Sequence, residues 1–283
     1  MADIIITQEE FFKFREFFYR KTGIQFEETK RYFVDKRLVE RIQATNSETF
    51  RNYFVMVRFE ASGKELQTLT NLMTVNETYF FREEYQFKSL VSSILPEITA
   101  QKRGNRPIKI WSVPSSSGEE PYSIAIYLLE HWPGITQWDV EIISSDIDTR
   151  IIDQALQGQY SSRSVQYIPK PLLEKYFTTV GDCYQICDEL RQAVDFTRVN
   201  LMNPGDILGY RDFDIIFCRN LLIYFDDLSR RQTAETFFEA LNPGGFICLG
   251  HSESMSRISS LFQVRKFPHS VVYQKPMKNA PVF

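Results

Sequence analysis

Hydrophobic side chains recur at helical spacing through the first 75 residues. Phe11, Phe14 and Phe18 form one set, Val34, Leu38 and Ile42 a second, and Phe50, Phe54 and Val57 a third. Steps of three and four residues put each set on one helix face, so this part reads as an all-helical N-terminal domain over residues 1–75. Thr7 and Glu10 have capping-box spacing at the first helix start, and Gly23 suits the left-handed turn at its end. From about residue 108 the period changes. Short apolar runs at 108–112, 140–145, 213–218 and 246–250 alternate with amphipathic segments near 122–130, 149–157 and 228–241. Such alternation predicts an α/β fold, a parallel sheet covered by helices on both faces. The run FQVRKFPHSVVYQK reads as a closing antiparallel hairpin. Over about 175–200, YFTTV, CYQIC and AVDFTRV follow one another without helical spacers. They predict a small inserted antiparallel β-subdomain with a tight turn at Gly181-Asp182.

In an open parallel sheet, ligands sit beyond the carboxyl ends of the strands. The first strand exits into VPSSSGEEPYS, a loop of small residues followed by two carboxylates, Glu119 and Glu120. Phosphate would be repelled there, and the loop has neither G-x-G-x-x-G nor a P-loop ending. Carboxylates suit a ligand with an ammonium, hydroxyl or sulfonium group; they equally suit the positive end of a helix dipole. The second strand ends in SSDID, where Asp146 is placed to accept from ribose hydroxyls and Asp148 to cap the next helix. Another strand ends in Arg219-Asn220, either lining the cleft or forming an ordinary strand exit. The junction TVNETYFFREE offers Asn76 and Thr78 as hydrogen-bonding groups and Arg82 as a fixed charge. Tyr79, Phe80 and Phe81 could wall a ligand or anchor a core. His251 reads as a satisfied polar residue at a strand end. The acidic loop and ribose carboxylate, without a phosphate motif, favour S-adenosylmethionine over a dinucleotide.

Composition narrows the classes. A net charge of -3 gives no broad basic surface for nucleic acid. No apolar stretch approaches the roughly 20 residues that span a bilayer, and MADIIITQEE does not read as a signal peptide. Cys183, Cys187, Cys218 and Cys248 form no C-x-x-C pair, the usage expected of a reduced cytoplasmic chain without a zinc site.

Seven segments, in order across nearly the whole chain, resemble the CheR family of chemotaxis receptor methyltransferases: NETYFFRE at 76–83, SGEEPYSIA at 117–125, SSDID at 144–148, G-x-Y at 158–160, VNL at 199–201, FDIIFCRNLLIYF at 213–225 and PGGFICLGHSES at 243–254. The resemblance implies a class I (Rossmann-like) methyltransferase domain over 76–283 with a small antiparallel insertion. It implies S-adenosylmethionine as donor and S-adenosylhomocysteine as product. By position it implies Asn76, Thr78, Arg82, Glu119, Asp146, Asn200, Leu201, Arg219 and Asn220 as cofactor-binding residues, with Glu120 open as the alternative to Glu119. Arg82 is also the candidate for positioning the substrate, and no catalytic base is implied. One departure is Val113-Pro114, where the family usually has Ala-Gly or Ala-Ala. The implied reaction makes methyl esters of glutamate side chains in chemoreceptors, by a cytoplasmic monomer that neither binds nucleic acid nor enters the membrane. Lys30, Arg37 and Arg41 share one helical face and fit an acidic receptor helical bundle. In some relatives the inserted subdomain also captures a receptor tail through a longer, glycine-bearing loop; here Val180 to Cys183 is a tight turn. The competing readings are a class I methyltransferase of another substrate and a non-catalytic signalling module.

Overall fold

The structure is a computed structural model that describes residues 4–104 and 106–277. Four helices open the chain: α1 (Gln8–Thr22), α2 (Arg31–Ala44), α3 (Phe50–Phe59) and α4 (Lys64–Met73). The capping box at α1 is formed, with Thr7 Oγ1 accepting from Glu10 N and Glu10 accepting from Thr7 N. Gly23 ends α1 at φ 73°. The predicted apolar faces close on one another: Phe11, Phe14, Phe18, Val34, Leu38, Ile42, Phe50 and Val57 share one buried core. Tyr53 is buried in that core, whereas the predicted Phe54 is only partly covered.

Among the described residues ten strands follow in chain order: β1 (Ile108–Ser112), β2 (Val140–Asp146), β3 (Gln159–Ser161), β4 (Phe177–Val180), β5 (Cys183–Ile186), β6 (Val194–Arg198), β7 (Phe213–Cys218), β8 (Leu241–Leu249), β9 (Gln263–Lys266) and β10 (Val271–Gln274). Seven of them form one sheet in the order β6-β2-β1-β7-β8-β10-β9. The first five are parallel, and β10 and β9 close the edge as the predicted antiparallel hairpin. Both faces of the sheet are buried. Ile110, Phe217, Phe246 and Cys248 enter one core, while Trp111, Ile216, Ile247 and Leu249 enter the other. The helix Glu119–His131 covers the first face and the helix Asp227–Ala240 the second. Hence these strands carry continuous apolar runs rather than alternation.

The inserted subdomain corrects the sequence reading. Its sheet is β3-β5-β4, so the third strand comes from Gln159–Ser161, not from AVDFTRV. Val194–Arg198 instead pairs in parallel with β2 at the edge of the main sheet. A short β-prone run carries no mark of which sheet it joins; pairing across the fold decides that. The turn at Gly181-Asp182 is the predicted tight one, joining the paired residues Val180 and Cys183.

Candidate active site

The loops leaving β1, β2, β6 and β7 surround a cavity of about 620 Å³, closed on its other side by the N-terminal domain. Its wall takes Val113 to Ser116 and Glu120 after β1, Asp146 and Ile147 at β2, Val199 to Leu201 after β6, and Arg219 to Leu221 with Ile223 to Phe225 after β7. Thr22, Ile24 to Glu27, Lys30, Phe33, the segment Met73 to Tyr79, Arg82 and Phe87 complete it. Backbone contacts seat the helical domain there: Gln25 N donates to the Tyr224 carbonyl at 3.1 Å, and Ile24 bridges Phe225.

The β1 exit is shaped by Gly118, whose φ of 94° favours glycine. An added Cβ there would meet Tyr122 at 2.9 Å and the Ala155 Cβ at 3.0 Å. The loop brings Ser116 N within 2.9 Å of the Asp146 carboxylate, which also accepts from Asp148 N at 3.0 Å. Asp146 is buried, and desolvation pushes its carboxyl up to about 6 against the pull of these N–H donors. Asp148 caps the helix Thr149–Gln157 through Arg150 N and Ile151 N, and accepts from Asn76 Nδ2 at 3.0 Å.

The two carboxylates of the SGEEPYS motif separate. Glu120 lies on the cavity wall, accepts from Ser112 Oγ at 2.9 Å and pairs with Arg219 at 2.9 Å. Glu119 is buried off the wall, held by the Ser117 and Ser164 hydroxyls at 2.6 and 2.5 Å. A helix turns about 100° per residue, so neighbours cannot share a face. Glu119 therefore ties the loop to the small subdomain, where Tyr160 likewise donates to the Ser117 carbonyl at 3.0 Å. Burial raises the pKa of both carboxyls; for Glu120 the Arg219 charge opposes it.

Arg219 is almost fully buried. Its guanidinium reaches Glu120, the Glu83 carboxylate at 3.5 Å and the Arg82 carbonyl, leaving Nε without a partner. Ser115 Oγ is a second unpartnered buried atom on the wall. Arg82 is half-buried, donates to the Glu77 carbonyl at 3.0 Å and has no carboxylate partner among the described residues. Phe80 and Phe81 anchor the core, and of the aromatic trio only Tyr79 reaches the cavity.

The cavity thus gathers Asn76, Thr78, Arg82, Asp146, Asn200, Leu201, Arg219 and Asn220, and leaves out Glu119. The Asn200 side chain is already engaged, donating to the Lys21 carbonyl at 2.6 Å and accepting from Met202 N at 3.0 Å. The predicted docking face changes. Arg41 is taken by a bidentate bond to Glu65 at 2.8 and 2.7 Å, so its charge is neutralised within the bundle. Arg37 stacks on Phe33 and donates to the Leu72 and Phe33 carbonyls. Lys30 lies exposed at the cavity rim. Missed by sequence reasoning was the wall from Thr22 to Phe33; only tertiary packing brings that segment over the sheet. Tyr224 stood within the FDIIFCRNLLIYF segment without an assigned role.

The family model described as CheR methyltransferase, SAM binding domain, matches residues 76–271, and that described as CheR methyltransferase, all-alpha domain, matches residues 9–74. The chain belongs to the CheR methyltransferase family. It is 56% identical to chemotaxis protein methyltransferase 2 of Vibrio cholerae serotype O1, over 98% of this chain and 96% of that one. Chemotaxis protein methyltransferase 2 of Pseudomonas aeruginosa is 38% identical across 90% of each chain. The chemotaxis protein methyltransferase of Salmonella typhimurium is 32% identical, over 93% of this chain and 89% of its own. The S-adenosylmethionine-binding domain of this CheR chain is thus the part whose strand ends wall the cavity. Among the described residues no cluster could hold a metal ion, and no helix is long and apolar enough to cross a membrane.

Proposed function

We propose that the cavity is the donor site of an S-adenosylmethionine-dependent protein-glutamate O-methyltransferase that acts on chemoreceptors. The observation that carries the site is the buried Asp146 carboxylate on the wall of a cavity with unpartnered polar atoms at Ser115 and Arg219. Asp146 accepts hydrogen bonds from ribose hydroxyls, while Ser115 Oγ and Arg219 Nε offer the polar contacts that a small charged ligand needs. Asn76, Thr78, Leu201 and Asn220 complete the donor's surroundings. Of the acidic pair, Glu120 faces the donor and Glu119 supports the loop.

S-adenosylmethionine supplies a methyl group on a sulfonium; a receptor glutamate carboxylate takes it and S-adenosylhomocysteine leaves. That glutamate is ionised at neutral pH, so the chain needs no general base. Arg82, without a carboxylate partner among the described residues, holds the incoming carboxylate. The remaining work is orientation and exclusion of water, to which the apolar wall of Phe33, Ile223 and Tyr224 contributes. The partner is the helical cytoplasmic region of a receptor, met in the cytoplasm by a monomer. Lys30 and Arg37 are the cations of the predicted face left to meet its acidic surface.

The test is transfer of labelled methyl from S-adenosylmethionine to a panel of receptor cytoplasmic fragments. The proposal expects label that alkali releases as methanol. Alkali-stable label, or none on any receptor fragment, would overturn it.

A further inference from the structure

The GHSES segment after β8 carries a carboxylate for which the reaction has no direct use. Glu253 Oε2 accepts the backbone N–H of Asn220 and of Gly250, each at 2.9 Å, and Oε1 accepts that of Leu222 at 2.8 Å. Among the described residues no cation pairs with it. Its negative charge is held by peptide dipoles alone, an arrangement that favours ionised oxygen and short, directional bonds. Burial raises its pKa, and the same N–H groups lower it.

Those three donors lie in two strand exits, the one after β7 and the one after β8. In the first exit Asn220 stands at φ 58°, a left-handed conformation that costs a non-glycine residue energy. Arg219, Asn220, Leu221, Ile223, Tyr224 and Phe225 of this exit all line the cavity. Gly250 makes room for the clamp, since a Cβ there would stand 2.9 Å from Glu253 Oε2 and 3.1 Å from Asn220 N. Glu253 itself is absent from the cavity wall.

We infer that Glu253 is a positioning residue for methyl transfer: its carboxylate sets the backbone path of residues 219–225 and thereby the placement of Arg219 and Asn220 against the donor. The inference rests on the cavity being the donor site. A glutamine cannot replace the carboxylate, because its NH2 would face at least one of the three N–H groups, donor against donor.

The experiment measures kcat, KM for S-adenosylmethionine, S-adenosylhomocysteine affinity and Tm for wild type, Glu253→Gln and Asp214→Asn. Asp214 sits at the opposite end of β7, accepting from Lys102 Nζ and Lys109 N at 2.6 and 2.9 Å. Its replacement reports the loss of a buried, hydrogen-bonded carboxylate remote from the cavity. Expected for Glu253→Gln is a KM and product Kd raised about tenfold with a smaller fall in kcat, the size of one lost charge-assisted contact. Asp214→Asn should lower Tm while leaving KM at the wild-type value. If Glu253→Gln does not fold, Gly250→Ala, whose Cβ intrudes on the same clamp, should show the same KM shift. An unmoved KM in the folded variant, or an equal shift in Asp214→Asn, would overturn the inference. Wild-type protein that neither binds S-adenosylhomocysteine nor transfers methyl defeats the proposed activity instead; normal wild-type turnover with an unaffected Glu253→Gln defeats this inference alone.

Discussion

Asp146 is buried on the cavity wall, and the sign of its pH dependence follows. Its carboxyl titrates near 6 in the native protein, raised from 3.8 by desolvation. Between those values the native state holds more protons than the unfolded one, so this group's contribution to stability falls as pH rises through the window. In the proposed donor site ribose hydroxyls donate to the ionised form, so donor affinity should run the other way. S-adenosylhomocysteine binding should weaken about tenfold from pH 7 to pH 5, and Asp146→Asn should flatten that profile. Titration calorimetry across the range reads both; an unchanged slope in the variant would remove Asp146 as its source. The place of Asp146 on the cavity wall was legible in the sequence because SSDID ends an apolar run, where the strand meets the cavity. The choice between Glu119 and Glu120 was not legible. Adjacent carboxylates have the same composition and spacing, and only the phase of the helix Glu119–His131 turns one to the cavity and the other to Ser164.

At the scale of elements, α2 separates cations that serve the fold from cations left for a partner. Arg41→Met would leave Glu65 uncompensated in the bundle, beside the Tyr53 hydroxyl that donates to it at 2.8 Å. Breaking such a pair should cost about 3 kcal/mol, read by urea unfolding, with little change in receptor turnover. Lys30→Glu should leave stability unchanged and raise KM for receptor fragments about threefold to tenfold at low ionic strength, fading as salt screens it. Equal KM values at low salt would remove Lys30 from the docking face. Gly118→Ala should be severe. The strain of a left-handed alanine and contacts under 3.1 Å with Tyr122 and Ala155 should together cost about 2 kcal/mol or more, with donor affinity lost alongside. Spacing revealed these helices and the parallel strands because each buries a face with its own period. It could not show that Val194–Arg198 leaves the small subdomain for the main sheet, or that Arg41 turns inward to α4.

Across the whole molecule, the cavity exists because two separately cored units meet over the carboxyl ends of one sheet. The apolar periodicity made both units readable, and the motifs made the family readable. The roof from Thr22 to Phe33 was not, since its residues carry no site signature and gain their place only by docking. At that junction lie a buried carboxylate and residues with unpartnered polar atoms, the surroundings proposed above for a cationic nucleoside rather than a phosphate. The most direct measurement is a calorimetric titration of S-adenosylhomocysteine into wild-type protein and Asp146→Ala, with NAD as comparison. Donor binding at this cavity predicts one site per chain, affinity at least tenfold weaker in the variant, roughly the loss of one bond to a charged acceptor, and no heat from NAD. Equal affinity in the folded variant, or a preference for NAD, would contradict it.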